Sequence, residues 1–378
     1  MNLNHLRPLT AAAAVALLAA GVAACGSGED SSAGAKTLAF QLTDAGCEPH
    51  AATAPAGPIE FEVENGGTTK VTEMEVMRGE SILGEKENLS EGLSGSFTLT
   101  LDRGEYTIYC PGGDEERGTL TVTGTSQPAG EASGAARKAV SDYRRFLERN
   151  TAELVASTKP FVAAVVVGDS AEAKALYART RAPFERIEPV AESFGSLDAS
   201  IDARENDVEP DDFRGFHRIE KALWGEGTTK GMAPVAKRLE ADVTELATEV
   251  KTVDLRAVQI ANGANELLGE VSASKITGEE ERYSHTDLYD FEANVEGAEA
   301  AFESVKPLLD SAEAERSGEI EHDFKQVFAE LQPYRRGNGF VSYAELTEGD
   351  TRKLAQSIDA LAEKLGMVPA VVAEAEHS

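Results

Sequence analysis

Hydrophobic and polar positions along this chain change period once. Across residues 36–124 apolar side chains alternate with polar ones in short runs, at 37–42, 59–64, 73–77, 95–101, 106–110 and 118–122, separated by Gly, Pro and Asn turns. A period of two marks strands with one buried face, and this many short strands in so few residues predict a small all-β sandwich. From Arg137 onward the period becomes helical. Val140, Tyr143, Phe146, Leu147 and Leu154 form one apolar stripe, and Ala173, Leu176, Tyr177, Pro183 and Phe184 belong to a second helix behind an Asp169-Ser170 cap. Further helical stretches are expected near 212–224, 232–252, 254–275, 284–310, 312–333 and 348–365, giving an all-α helical bundle over 137–378 whose size suggests two packed bundles. Residues 125–136, rich in Gly, Ser, Ala and Pro, read as a linker between the two domains.

The first residues do not belong to either pattern. Arg7 precedes an apolar, Ala-rich stretch from 11 to 24 that is too short for an ordinary membrane span, so residues 1–24 read as an export signal. It ends in Val22-Ala23-Ala24-Cys25, which resembles the bacterial lipobox, where the Cys is acylated; Cys25 is the expected lipidation site and 25–35 the tether. The expected location is the outer face of the cell membrane, in the periplasm or cell envelope. In such an oxidising compartment Cys47 and Cys110, the two cysteines left, pair by default as a disulfide, with metal ligation as the rival reading.

Charge narrows the partners. A net charge of −30 argues against nucleic acid and against docking on anionic lipid, and it favours cations. In Gly215-Phe216-His217-Arg218-Ile219-Glu220-Lys221-Ala222-Leu223-Trp224-Gly225, His217 and Glu220 share a helix face at i, i+3 and can approach one ion. With six histidines in a Glu-rich chain, one such pair arises by chance, so its surroundings matter. Glu185 and Glu188 repeat the spacing upstream. Asp198 and Asp202 lie in the connection before His217, and Asp287, Asp290 and Asn294 line one face of a later helix. Carboxylates held close together repel unless a cation sits between them, and an oxygen-rich set with one imidazole suits iron, manganese or zinc. The bland readings are a solvated helix face for Glu185 and Glu188 and turn chemistry for Asp198 and Asp202.

In the β region the segment from Gly104 to Gly113, followed by Gly118-Thr119-Leu120-Thr121-Val122, resembles the last two strands of cupredoxins. A blue-copper site needs two His, a Cys and a weak axial ligand, and within this domain neither His nor Met follows Cys110. A different second metal site, built from Cys47, Glu75 and Cys110 with Glu48, His50, Glu73 and Met74 nearby, remains open for copper or iron.

Together with Tyr177-Ala178-Arg179, with Ala273-Ser274-Lys275-Ile276-Thr277-Gly278-Glu279-Glu280 and with Asn294-Val295-Glu296-Gly297, the His217 segment resembles the imelysin-like family in the two-domain form that carries an N-terminal cupredoxin-like domain. The resemblance implies an extracytoplasmic iron-binding protein rather than an enzyme. Such a protein passes iron, as Fe3+ or Fe2+, to a high-affinity EfeU-type iron permease, assisted by an EfeB-type haem peroxidase. It also implies a helical-domain site built on His217 and Glu220 with Glu185, Glu188 and Asp202; Asp290 joins this set on its helix position. The alternatives are a zinc-dependent metallopeptidase, against which stands the absence of His-Glu-x-x-His, and a copper-binding module in the β domain.

Overall fold

The computed structural model describes residues 35–124 and 132–376. The expected export signal, Cys25, residues 25–34 of the tether and linker positions 125–131 lie outside the described residues.

Nine strands form the first part: β1 (Lys36–Thr43), β2 (Gly46–Glu48), β3 (Ala51–Pro55), β4 (Gly57–Asn65), β5 (Met74–Arg78), β6 (Ser81–Lys86), β7 (Ser94–Leu101), β8 (Gly104–Tyr109) and β9 (Arg117–Thr123). They make two sheets, ordered β2-β1-β4-β7 and β3-β9-β8-β5-β6, the small sandwich expected from the alternating pattern. The alternating residues Ile59, Phe61 and Val63 of β4 and Phe97, Leu99 and Leu101 of β7 face Met74, Val76, Ile108 and Leu120 of the other sheet in one core. Strands β3 and β6 escape the sequence pattern because Ala51–Pro55 and Ser81–Lys86 carry few large apolar side chains, and three-residue β2 is too short to show one; their pairing partners, β9, β5 and β1, recruit them.

Cys47 and Cys110 are joined in a disulfide, Cα to Cα 5.9 Å, that ties the β2 edge of one sheet to the end of β8 in the other. This corrects the possible metal site of Cys47, Glu75 and Cys110. Both sulfurs belong to the sandwich core and neither is a thiolate. Glu75 lies between the core residues Met74 and Val76, so strand alternation turns it to the opposite face.

The helical part contains α1 (Gly134–Val167), α2 (Ser170–Glu185), a 3-10 segment (Glu188–Phe194), α3 (Ser196–Asp202), α4 (Gly215–Glu220) continuing into a π turn (Lys221–Gly225), α5 (Ala233–Glu249), α6 (Ala257–Ala273), α7 (Asp287–Leu331), α8 (Glu348–Leu365) and α9 (Val368–Ala375). Helix α1 begins inside the expected linker, because the Ser133 side chain accepts from Ala136 N and caps it there. Helix α7 bends at Glu313, whose φ of −141° and ψ of 56° are not helical, so its two arms correspond to the expected helices at 284–310 and 312–333. One contiguous apolar core runs through all of these helices, so the part packs as one bundle rather than two. No helix among the described residues is long and apolar enough to cross a membrane.

Helix α6, with α9 and the 3-10 segment, joins the two parts. Asn262 Nδ2 donates to Thr98 O at 2.6 Å, Gln259 Nε2 to Leu83 O at 3.3 Å, and Glu266 accepts from Lys86 Nζ at 2.7 Å. On its other side, Gly263 lets the 3-10 segment pass against its backbone: a Cβ there would stand 1.6 Å from Pro189 O. That close approach holds Glu188 and Glu192 between bundle and sandwich.

Candidate metal centre

Five chain segments converge around His217. Helix α2 supplies Arg181 and Glu185, α3 Asp202, α4 His217 and Glu220, the loop before α7 Glu280 and Glu281, and α7 itself Asp290. Gly215 makes the first of these meetings possible. Its φ of +77° favours glycine, and a Cβ would lie 2.1 Å from Ile201 O, so α4 can start against the end of α3. His217 Nε2 then stands 3.6 Å from Asp202 Oδ1 and 3.3 Å from Glu280 Oε1, while Nδ1 faces Glu220 Oε2 at 3.5 Å. Glu220 is aimed by its other oxygen, which accepts from the backbone of Tyr283 at 2.9 Å and Ser284 at 2.7 Å. Ser284 Oγ donates to Glu281 at 2.7 Å.

One ligand atom each from Asp202, His217 and Glu280 lie within 4.8 Å of one another, and so do atoms of His217, Glu220 and Glu281. Two donor triads therefore share one imidazole. His217 is 2% exposed and Glu220 1%, so the pair that reads as a surface feature in isolation is interior.

Arg181 occupies the middle of this acidic nest. Its Nη2 donates to Glu280 Oε1 at 2.8 Å, Nε lies 3.3 Å from Asp290 Oδ1, and closer contacts reach Glu185 and Asp202. Its Nε also stands 2.8 Å from Glu281 Oε1, but off the line of a hydrogen bond, so that oxygen is an ion-pair neighbour without a donor. Asp290 Oδ2 is likewise buried with no hydrogen-bond partner among the described residues. Glu185, Asp202, Glu220, Glu280, Glu281 and Asp290 thus surround Arg181 and His217, with Lys275 reaching Glu185 and Glu280 and Arg204 reaching Glu280 from outside, and the remaining surplus of carboxylate is the charge a bound cation would balance.

The predicted residues divide accordingly. His217, Glu220 and Asp202 sit in the triads, and Glu185 and Asp290 meet them through Arg181. Glu188 lies one step away, paired with Lys275 and accepting from Asn294 Nδ2. Asp287 is spent on structure, its Oδ1 accepting from Glu281 N at 3.1 Å. The sequence reading missed Arg181, Lys275, Glu280 and Glu281 as site residues. For Arg181 a signal exists: it falls at helical spacing among Tyr177, Ala178 and Phe184, a charge inside a buried stripe. For Glu280 and Glu281, two acids in an acidic loop, none does.

Protonation follows the geometry. Burial and Arg181 both oppose the imidazolium of His217, but Glu220 and Glu280 accept from it and raise it to about 9. A ring so charged has no lone pair for Arg181 Nη1, 3.0 Å from Nε2; four flanking carboxylates outweigh that one contact, and we take the ring as charged without metal. Burial raises Asp202 to about 6 and Glu270 to about 7, and holds Glu188, Glu281 and Asp290 well above the usual carboxylate range. Burial acts the same way on Glu280, but Lys275 and His217 outweigh it and keep Glu280 well below that range. Groups raised on folding stabilise the fold below their ordinary values, and that contribution is lost as pH climbs through the folded ones. The metal-free protein is therefore expected to lose at least about 5 °C in Tm between pH 5 and pH 9. Calorimetry in chelator-treated buffer checks this, and a flat profile would contradict the assigned charge surplus.

Comparison with known proteins agrees with this architecture. The imelysin family profile matches residues 139–368 and a cupredoxin-like domain profile matches residues 11–122. The chain is 41% identical over 338 residues to a protein named iron uptake system component EfeO from Escherichia coli K12, covering 88% of this chain and 90% of that one, and equally to its namesake from Shigella flexneri. A solved auracyanin from Roseiflexus castenholzii aligns over 24% of this chain and 99% of its own, at 18% identity and a TM-score of 0.22. A profile spanning most of the helical part, and identity sustained across both parts, place this chain in the imelysin family, with a cupredoxin-like domain ahead of the imelysin region.

Proposed function

We propose that this protein captures iron outside the cytoplasm, anchored through Cys25, and hands it to an EfeU-type permease with an EfeB-type haem peroxidase as partner. The observation that supports this most is the buried carboxylate cluster around His217, which offers donor atoms for a cation and in which Glu281 Oε1 and Asp290 Oδ2 have no hydrogen-bond partner among the described residues. Oxygen donors with one imidazole suit Fe3+ or Fe2+ and disfavour Cu+. Relatives named iron uptake system component, at 41% identity, support iron as the cargo.

The metallopeptidase reading loses ground on the same geometry. A hydrolytic zinc needs an open coordination position facing the substrate, whereas His217 and Glu220 are interior and Glu220 is bound to two backbone amides. The copper reading loses its sulfur ligands to the disulfide.

Iron titration of the full chain checks the proposal. His217→Ala and Glu220→Ala are each expected to weaken iron binding at this site by roughly 100-fold, the scale of losing one ligand and its orientation. Wild-type affinity in both variants would remove the assignment.

A further inference from the structure

An ion reaches the His217 centre only if part of the chain moves. The cleft between sandwich and bundle, of about 280 Å³, is lined by Asp202 and Glu280, but His217, Glu220 and Glu281 lie behind them and are at most 2% exposed. Glu280 is the wall. Its Oε1 faces inward, 3.3 Å from His217 Nε2 and 2.8 Å from Arg181 Nη2, while its Oε2 accepts from Arg204 Nη1 at 3.1 Å. The Arg204 side chain is 23% exposed and lines the cleft, so its guanidinium stands between solvent and the centre.

Arg204 belongs to a segment, 203–214, that runs from the end of α3 with Asp202 to the start of α4 with His217. No residue in it is buried, whereas Ile201 before it and Phe216 after it are fully enclosed. A loop without a buried anchor opens at lower free energy than the helices it joins. Its two ends are pinned together, because Gly215 packs on Ile201 O, so the loop can swing without separating Asp202 from His217. Polar contacts close it. The Glu205 carboxylate accepts from Lys221 Nζ and Tyr283 Oη, and the Glu205 carbonyl accepts from Arg282 Nη1 at 2.7 Å. Asp207 Oδ2 accepts from Arg204 Nε at 3.0 Å and so aims that side chain at Glu280. On the outer side Asp207, Glu209, Asp211 and Asp212 are exposed and draw cations toward this edge.

We propose that residues 203–214 are a lid on the His217 centre, latched by Glu205 and barred by Arg204, and that a cation enters by taking the place of the Arg204 guanidinium on Glu280. That the cation is iron rests on the iron-capture reading; the lid does not. Lys221 follows Glu220 in the chain and Tyr283 donates its amide to Glu220 at 2.9 Å, so the latch is fastened to the centre it covers. The two devices differ in what they oppose. The latch closes the loop whether or not an ion is inside, so it slows entry and exit alike. Arg204 competes with the ion for one carboxylate, so it opposes the filled state alone.

The test uses the full chain and Fe2+ under argon at pH 7, with stopped flow following the fluorescence of Trp224, the one Trp in the chain and four residues beyond Glu220. Glu205→Ala is expected to raise the association and dissociation rates each by about tenfold and to leave Kd within about twofold, since a charge-assisted contact is lost from the closed loop in both states. Arg204→Gln is expected to tighten Kd by about tenfold through faster association, and Arg204→Lys, which keeps the charge, to return most of the way to wild type. Wild-type rates in Glu205→Ala and Arg204→Gln, or weaker binding without faster entry, overturn the lid. Hydrogen exchange of the metal-free chain separates this result from the iron reading. Amides of 203–214 are expected to exchange about tenfold faster in Glu205→Ala than in wild type, with α1 and α7 unchanged. Unchanged exchange overturns the latch even where iron binds. Faster exchange in a protein whose response to iron is the same in His217→Ala sustains the lid and sinks the iron reading at this centre.

Discussion

Arg181→Met is expected to lower the stability of the metal-free protein by about 3–5 kcal/mol, the cost of leaving buried charges without their partner. For a bundle of this size that corresponds to a fall in Tm of roughly 10 °C. Arg181 is fully buried and ion-paired to Glu185, Asp202, Glu280, Glu281 and Asp290, and methionine fills much of the same volume while removing the guanidinium that all five share. Some of the stranded carboxyls will take up protons, which limits the loss, but none gains a donor for its second oxygen. The sharper signature is the response to metal. Iron entering the nest replaces the missing positive charge, so the gain in Tm on adding iron should be larger in Arg181→Met than in wild type. Differential scanning calorimetry with and without iron measures both quantities; an unchanged metal-free Tm would mean that the acids do not depend on Arg181.

Gly263→Ala is expected to be about as damaging, through shape rather than charge. A methyl group there would meet Pro189 O at 1.6 Å, so α6 and the 3-10 segment must separate. Forced repacking of this kind costs about 3 kcal/mol. The displaced segment carries Glu188 and Glu192 and leads into α3 with Asp202, so iron binding should weaken along with Tm. Gly269→Ala in the same helix is the control. Nothing lies within 4 Å of its added carbon, and alanine is the better helix former by up to about 1 kcal/mol, so Tm should hold or rise. Equal behaviour of the two variants would show that the close approach at Gly263 has no weight.

Both effects involve contacts between residues far apart in sequence, which explains where the sequence reading stopped. The change from period two to a helical period requires only neighbouring residues, and it correctly announces a β-sandwich followed by a helical bundle. Boundaries were less legible, since a single capping side chain, Ser133, moves the start of α1. Among the candidate ligands, His217, Glu220, Glu185 and Asp290 stand out by helical spacing and Asp202 through the family resemblance, and these come together, whereas Glu188, with the same spacing as Glu185, pairs with Lys275 one step away. Glu280 and Glu281 could not be singled out, because the acidic character of a loop says nothing about which of its carboxylates turns inward.

The order of strands and helices, the amphipathic faces and the acidic balance of this chain follow from local pattern and composition, because periodicity and charge are properties of short windows. Whether the pair His217 and Glu220 would be a surface ornament or an interior centre is not such a property. It depends on Gly215 admitting Ile201, on Arg181 reaching three other segments, and on Gly263 seating the strand-facing Glu192. Those are packing decisions, settled by backbone atoms tens or more residues apart, and they convert scattered carboxylates into an acidic centre behind the wall of one cleft.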